Sequence, residues 1–298
     1  DYFAVDGLNL EAAYPVIDQA LVRAREARRP VFIHLKTVRL MGHAGTDFEI
    51  EYRSEADLQA TEAADPLLVS AQQVLRRGLM SSEDILALYE GIRQQCLSQA
   101  DQADLEPKLN TREAIVAPLA PLSLKRVFAE AERGMDQAAR QAVWGKVLPE
   151  DKGPRHMAIL INQALRDILI KYPQSIVFGE DVAKKGGVYT VTKGLWADFG
   201  RRRVFNTLLD ETTILGLAQG YANAGFLPIP EIQYLAYFHN ACDQIRGEAC
   251  SLQFFSNRAF SNPMVVRIAG LGYQKGFGGH FHNDNSITAL RDIPGIIL

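Results

Sequence analysis

The sequence contains little cysteine, no excess of positive charge and no long apolar run. Its three cysteines, Cys96, Cys242 and Cys250, show no Cys-x-x-Cys spacing, which disfavours a disulfide framework or a zinc site and favours buried thiols in a reducing compartment. The 32 Lys and Arg against 35 Asp and Glu give a formal net charge of -3, so no basic field attracts nucleic acid or anionic lipid. No uncharged apolar run reaches the roughly 20 residues of a membrane span. These features exclude a dedicated nucleic-acid-binding protein and a membrane-spanning protein, and they predict a cytoplasmic one.

The first hundred residues follow a strand, helix and strand pattern. The chain has 298 residues, of which 47% are hydrophobic and 22% charged. This composition is typical of a globular protein, and the length is sufficient for two domains of roughly 100–200 residues each. Residues 2–5 predict a short buried strand, residues 10–29 a helix, and residues 31–38 a second strand that leads into a long polar loop over residues 39–54.

A second α/β series follows a connector that is interrupted by prolines. The apolar spacing predicts helices over 123–144, 157–171, 211–224 and 236–255, and strands over 175–178, 203–206, 229–233 and 264–268. We therefore predict an α/β fold with two parallel-sheet units joined by a helical, Pro-bearing connector. The predicted domains are residues 1–100, 101–155 and 156–298.

Two acidic motifs occupy places where α/β proteins bind ligands. Glu180 and Asp181 directly follow the strand predicted over 175–178, so they are either a turn with a capping acid or ligand-binding groups at the end of a strand. Glu211 begins a helix whose next apolar residues include Ile214 and Leu215. It is either an acid at a helix N-terminus or a carboxylate in an apolar cavity.

Several histidines have more than one interpretation. His43, close to Asp47 in the polar loop, is either held by that carboxylate or delivered to a site as an acid–base group. His34, inside an apolar strand, is predicted to be a core histidine. The glycine-dense segment 271–282 allows close backbone approach to a ligand, yet it lacks the dinucleotide and Walker motifs. His280 and His282 within it have no nearby acidic pair, so we predict no metal site there.

Taken together, these segments resemble the thiamine diphosphate-dependent decarboxylating component of the 2-oxo acid dehydrogenase complexes. Residues 1–100 are similar to the C-terminal part of its α subunit, through Arg39, Gly42, His43, Thr46, Asp47, Tyr52 and Arg53. Residues 156–298 are similar to the pyrimidine-binding half of its β subunit, through the motifs at 178–182, 186–188, 204–207, 231–233 and 243–245. The resemblance implies a thiamin diphosphate-binding fold in which the two subunits are fused.

The resemblance also implies roles for individual residues. Glu211 corresponds to the carboxylate that hydrogen-bonds a ring nitrogen of the cofactor's aminopyrimidine, where burial would shift its proton affinity. His43 and His282 correspond to two histidines that manage protons and acyl transfer to lipoamide. The residues implied to bind the cofactor are Glu180, Leu209, Glu211, Gln233, Tyr237 and His43.

The Gly-Asp-Gly and Asn signature that binds magnesium and diphosphate in this family does not occur in the sequence. We therefore expect the magnesium ligands to lie outside this segment. We also expect the 298 residues to be an interior part of a longer fused enzyme and to be inactive in isolation. The implied substrate is a 2-oxo acid, branched-chain first and pyruvate second. The implied partners are a lipoyl acyltransferase component and further copies of the chain in a homo-oligomer. The alternatives are a transketolase-like carbon–carbon ligase and a non-catalytic remnant that only binds a partner.

Overall fold

The computed structural model describes residues 1–119, 123–272 and 278–298. The chain forms two compact units, residues 1–107 and 108–298. Each unit contains helices and a parallel sheet, which confirms the predicted α/β class. Among the described residues, no helix is long and apolar enough to cross a bilayer.

The first unit is built on one strand–helix–strand element. Strands β1 (Tyr2–Asp6) and β2 (Phe32–Lys36) pair in parallel, and helix α1 (Leu10–Ala27) connects them. The Asn9 side chain accepts the Ala12 N–H at 3.1 Å and caps α1 at its first turn. Three more helices complete the unit: α2 (Glu55–Ala63), α3 (Pro66–Arg76) and α4 (Ser82–Leu105).

Four residues of this unit that were expected in the interior lie at the surface. Tyr2 is 62% exposed and Ala4 is exposed on the same face of β1, so the strand over residues 2–5 forms but is not buried. His34 is also exposed; it shares one face of β2 with Phe32, and its Nδ1 hydrogen-bonds the Tyr2 hydroxyl at 2.6 Å. Cys96 is exposed on α4, a helix without a buried residue. The core assignments of His34 and Cys96 are therefore wrong.

The second unit contains a four-stranded parallel sheet in the order β4-β3-β5-β6. The strands are β3 (Ser175–Gly179), β4 (Val204–Asn206), β5 (Leu227–Ile232) and β6 (Arg267–Ile268). Every residue of β3 is buried, because helices α8 (Met157–Lys171) and α10 (Glu211–Asn223) cover its alternating side chains. Val177 packs with Leu169 of α8, whereas Phe178 packs with Ile214 of α10. This layering fixes the start of α10 near the ends of the strands.

The connector helices fold as part of the second unit. They are α5 (Arg112–Val116), α6 (Leu124–Glu132) and α7 (Gln137–Trp144). The single helix predicted over 123–144 is therefore wrong. The chain breaks at residues 133–136 because the Asp136 side chain accepts the N–H groups of Ala138 and Ala139 and starts a new helix.

Two further predictions for this unit are wrong, for local reasons. The segment 236–255 is not one helix but a succession of short helices and turns. One of them is a π-helical turn at Gln244–Ala249, whose Gln244 carbonyl accepts from Gln219 of α10 at 3.1 Å. The strand predicted over 264–268 is regular only in β6. Pro228 and Pro230 of β5 explain this, because Pro228 directs its carbonyl towards Val265 and neither proline has an N–H to donate on that side.

The remaining helices of the second unit are short. They are α9 (Leu195–Phe199), α11 (Leu235–Phe238), α12 (Leu252–Phe255), α13 (Gly279–His282) and α14 (Thr288–Arg291). Helix α11 follows directly on β5, so the residues after this central strand turn across the end of the sheet.

Candidate functional site

The ends of β3 and β5 bring two glutamates to one edge of the second sheet. Gly179 ends β3 and pairs in register with Glu231 of β5. Gly179 has a φ of +152°, and a Cβ at this position would lie 2.6 Å from the Glu231 carbonyl oxygen, so only glycine fits. Because the strands are parallel, Glu180 follows at the same edge as Glu231. Ligands of open α/β sheets bind at such carboxyl ends.

Glu180 is surrounded by other carboxylates. Burial raises the pKa of its half-buried carboxyl, and the negative charges of Asp181, Glu211 and Glu231 raise it further, against an opposing effect of Lys185. These three carboxylates are therefore close enough to Glu180 to disfavour its charged form. Glu180 holds a proton to a higher pH than an ordinary glutamate, which suits a group that donates or relays protons.

Glu211 is the first residue of α10 and is buried, with 8% of the residue exposed. The residue that caps the helix is Asp210, whose side chain accepts the Thr213 N–H at 3.3 Å. Asn240 Nδ2 donates to Glu211 Oε2 at 3.4 Å. The structure therefore assigns the helix cap to Asp210 and places Glu211 among the buried residues.

Glu231 is a buried charge whose position sequence reasoning did not single out. It is 1% exposed, its Oε2 accepts from Arg267 Nε at 3.0 Å, and a Cβ on Gly187 would lie 3.3 Å from its Oε1. Burial raises its pKa, and the positive charge of Arg267 opposes that effect. The available signal was its place in the Glu-Ile-Gln motif at the end of a strand, followed by an arginine in the neighbouring strand.

Aromatic rings gather beside the two tyrosines that follow β5. The His282 ring makes an edge contact with Tyr234 at 4.4 Å between centroids and with Tyr237 at 6.1 Å. His282 Nδ1 hydrogen-bonds the Gly278 carbonyl at 2.9 Å, and the Tyr189 ring makes an edge contact with Tyr234. Two residues predicted from the sequence, Tyr237 and His282, thus lie in one partly buried aromatic cluster.

The other predicted residues of this unit are less enclosed. Leu209 is 69% exposed between β4 and α10, and Gln233 is half-buried after β5. Residues 273–277 of the glycine-dense segment lie outside the described residues. His280, in its described end, stacks near Phe281.

The loop that carries His43 lies in the first unit and is organised around Asp47. The Asp47 carboxylate accepts the backbone N–H of His43 at 2.6 Å and the Tyr52 hydroxyl at 2.9 Å. These two bonds, the His43 N–H first, hold the Asp47 pKa below its usual value. The backbone of His43 is therefore fixed while its exposed ring is not held by Asp47. This geometry suits an imidazole presented from a loop.

No cluster of three or more His, Cys, Asp or Glu side chains suited to a metal ion occurs in the part of the chain that the structure describes. The three cysteines are free.

Comparison with known families gives two matches that together cover most of the chain. Residues 1–112 match the family described as dehydrogenase E1 component. Residues 154–294 match the family described as transketolase, pyrimidine binding domain. The two matches fall on the segments that resemble the α subunit (residues 1–100) and the β subunit (residues 156–298), and they confirm the resemblance inferred from the sequence.

Curated relatives match part of this chain. A pyruvate dehydrogenase E1 component subunit beta from Staphylococcus epidermidis is 38% identical over 145 residues, which are 47% of this chain and 42% of that protein. A 3-methyl-2-oxobutanoate dehydrogenase subunit beta from Mycobacterium tuberculosis is 39% identical over 130 residues, which are 44% of this chain and 36% of that protein. The chain thus spans about two fifths of the length of these relatives.

Proposed function

We propose that this chain, which joins a dehydrogenase E1 component segment to a transketolase-type pyrimidine-binding domain, serves in the thiamine diphosphate-dependent oxidative decarboxylation of a 2-oxo acid. The acyl group would pass to a lipoyl group of an acyltransferase partner. Branched-chain 2-oxo acids are the first expected substrate and pyruvate the second, in line with the two activities named for the relatives. The proposal also includes a cytoplasmic homo-oligomer whose magnesium and diphosphate ligands lie outside this chain.

The observation that carries the proposal is the buried Glu211 close to Glu180, whose pKa is raised by burial and by neighbouring carboxylates that include Glu211. A site for a flat heterocycle with ring nitrogens combines apolar or aromatic surfaces with a few placed polar groups, and a carboxylate is one such group. The second unit offers the carboxylate at the start of α10 and the aromatic cluster around Tyr237 and His282. The residues present therefore fit the aminopyrimidine end of thiamine diphosphate.

In this account, bound thiamine diphosphate supplies the electron sink for the electron pair that decarboxylation releases. Glu211 would accept a hydrogen bond from, or share a proton with, a ring nitrogen of the aminopyrimidine. Glu180, whose pKa is raised by burial and by neighbouring carboxylates, would donate or relay a proton near that ring. Tyr237, Leu209 and Gln233 would contact the cofactor and become less exposed when it binds.

The proposal assigns proton transfers to two histidines, His282 and His43. The His282 ring is oriented by the Gly278 carbonyl and by Tyr234, so one ring nitrogen has a fixed partner. His43 contributes from the loop ordered by Asp47. Both would transfer protons during acyl transfer to the lipoyl group, as imidazole side chains can do.

The test is Glu211→Gln in the holoenzyme that contains this chain, with Glu248→Gln, an exposed glutamate of the same unit, as the matched control. Carbon dioxide release from a branched-chain 2-oxo acid, with a lipoyl domain as acceptor, should fall by about 100-fold or more in Glu211→Gln because an acid–base group is lost. The control should retain wild-type activity. Near-wild-type turnover by Glu211→Gln would contradict the proposal.

The acceptor separates the proposal from the ligase alternative. Product formation that requires a lipoyl group supports the dehydrogenase. Transfer of the same fragment to an aldose without any lipoyl group would instead identify a transketolase-type ligase.

A further inference from the structure

Two residues outside the predicted site are connected to the Glu211 carboxylate by hydrogen bonds. Asn240 contacts the carboxylate directly, and Thr212 contacts Asn240. Asn240 lies in the 3-10 turn His239–Ala241, and its Nδ2 donates to Glu211 Oε2 at 3.4 Å. Thr212 is the next residue after Glu211, and its hydroxyl donates to the Asn240 carbonyl oxygen at 2.8 Å. The side chain and backbone of Asn240 are thus tied to two consecutive residues at the start of α10.

The turn that carries Asn240 is fixed in place independently of these bonds. Ala241 is fully buried in a cluster with Leu215 of α10. Further along, Gln219 of α10 donates to the Gln244 carbonyl at 3.1 Å. Because this turn and α10 are packed and bonded together, the Asn240 amide approaches Glu211 from a set direction.

A glutamate side chain has several rotatable bonds, and holding it in one orientation costs conformational entropy. Among the described residues, Asn240 is the side chain that donates to Glu211. Its bond occupies Oε2 and leaves Oε1 for another donor. A prepositioned donor such as the Asn240 amide is the kind of support that fixes a functional carboxylate in a productive geometry.

We propose that Asn240 is a positioning residue that orients the Glu211 carboxylate towards the aminopyrimidine of thiamine diphosphate, and that Thr212 holds Asn240 in place. This inference rests on the proposed function and extends it to two residues that the sequence did not indicate. Asn240 acts through Glu211 and does not itself touch the reacting atoms.

The test measures thiamine diphosphate affinity and steady-state kinetics of the holoenzyme at fixed magnesium. Asn240→Ala should raise the Kd for thiamine diphosphate and lower kcat, each by about threefold to tenfold, because a long hydrogen bond to a charged group is lost. The KM for the 2-oxo acid should stay unchanged. Thr212→Val should change the Kd and kcat in the same directions by a smaller factor. Thr212→Ser, which keeps the hydroxyl, should have wild-type Kd and kcat. Asn223→Ala, at the exposed far end of α10, is the matched control.

A double-mutant cycle in cofactor affinity separates positioning from a general structural role. If Asn240 acts through Glu211, Asn240→Ala should add less than about twofold to the Kd of Glu211→Gln. A fully additive loss, or an Asn240→Ala enzyme with wild-type Kd and kcat, would overturn this inference alone. A wild-type holoenzyme that neither binds thiamine diphosphate nor releases carbon dioxide would overturn the proposed function and the inference with it.

Discussion

The connector is held to the second unit by a network around Arg140, and removing that side chain should loosen it. Arg140 of α7 donates to both oxygens of Glu150, at 2.6 and 2.7 Å, and to Asp167 of α8, at 2.9 and 3.3 Å. Trp144 Nε1 adds a bond to Asp167 at 2.7 Å. Arg140→Met keeps the aliphatic bulk but leaves Asp167 with the Trp144 bond and no ion pair.

The size of the effect follows from exposure. The side chains of Arg140 and Asp167 are 12% and 19% exposed, whereas Glu150 is 54% exposed. Breaking a fully buried ion pair costs about 3–5 kcal/mol, and exposed pairs contribute little. For this mostly buried pair we expect a loss of about 2 kcal/mol in the free energy of unfolding. In a unit of this size, that corresponds to a Tm lower by about 4–8 °C.

Calorimetric melting of the wild type, Arg140→Met and Arg140→Met/Asp167→Asn would measure it. The double variant should recover part of the loss, because a neutral amide replaces the unpaired carboxylate. Arg291→Met removes a pair whose side chains are 68% and 67% exposed and should leave Tm unchanged. A Tm within about 1 °C of wild type for Arg140→Met would refute the reasoning, since the network would then not hold the connector.

Three further variants test other parts of the account. Phe178→Ala removes a fully buried ring that stacks on Phe205 at 5.2 Å and should cost about 3–5 kcal/mol in urea unfolding; a loss under about 1 kcal/mol would contradict the described core. Since the Glu180 pKa is raised in the folded protein, the contribution of Glu180 to stability is lost as pH rises from the ordinary 4.5. Glu180→Gln should therefore flatten the fall in the free energy of unfolding towards neutral pH. An unchanged slope of that free energy against pH would count against the carboxylate cluster. Asp47→Asn weakens the bonds to His43 and Tyr52, so a protease should cut residues 39–54 faster; equal cutting rates would show that Asp47 does not order the loop.

Local patterns were sufficient to predict the regular part of the fold. Helix α8 was predicted over 157–171 and has those bounds, and β3, β5 and α10 were predicted within one or two residues. These elements have strong periodicity and lie between two packed layers, so local propensity and tertiary packing favour the same structure.

Where tertiary contacts decide the structure, the sequence was not sufficient. The π-helical turn at Gln244–Ala249 and the shortness of β6 depend on which strands and helices lie alongside them. His34 follows a strand pattern, but burial depends on which face of the sheet is covered. The helical spacing of residues 123–144 contained no signal strong enough to predict the break at Asp136.

The candidate site divides in the same way. Glu211, Glu180, Tyr237 and His282 were identified by their resemblance to family motifs. Asn240 was not, because its role depends on a turn 29 residues further along the chain that only the folded protein brings to Glu211.

The central claim is that Glu211 acts through a ring nitrogen of thiamine diphosphate, and an analogue of the cofactor tests it most directly. In this analogue, the pyrimidine nitrogen that faces the carboxylate is replaced by a CH group. The holoenzyme should bind the analogue but release carbon dioxide from the 2-oxo acid about 100-fold or more slowly than with thiamine diphosphate, because Glu211 then has no nitrogen to hold. Equal rates with the two cofactors would contradict the account.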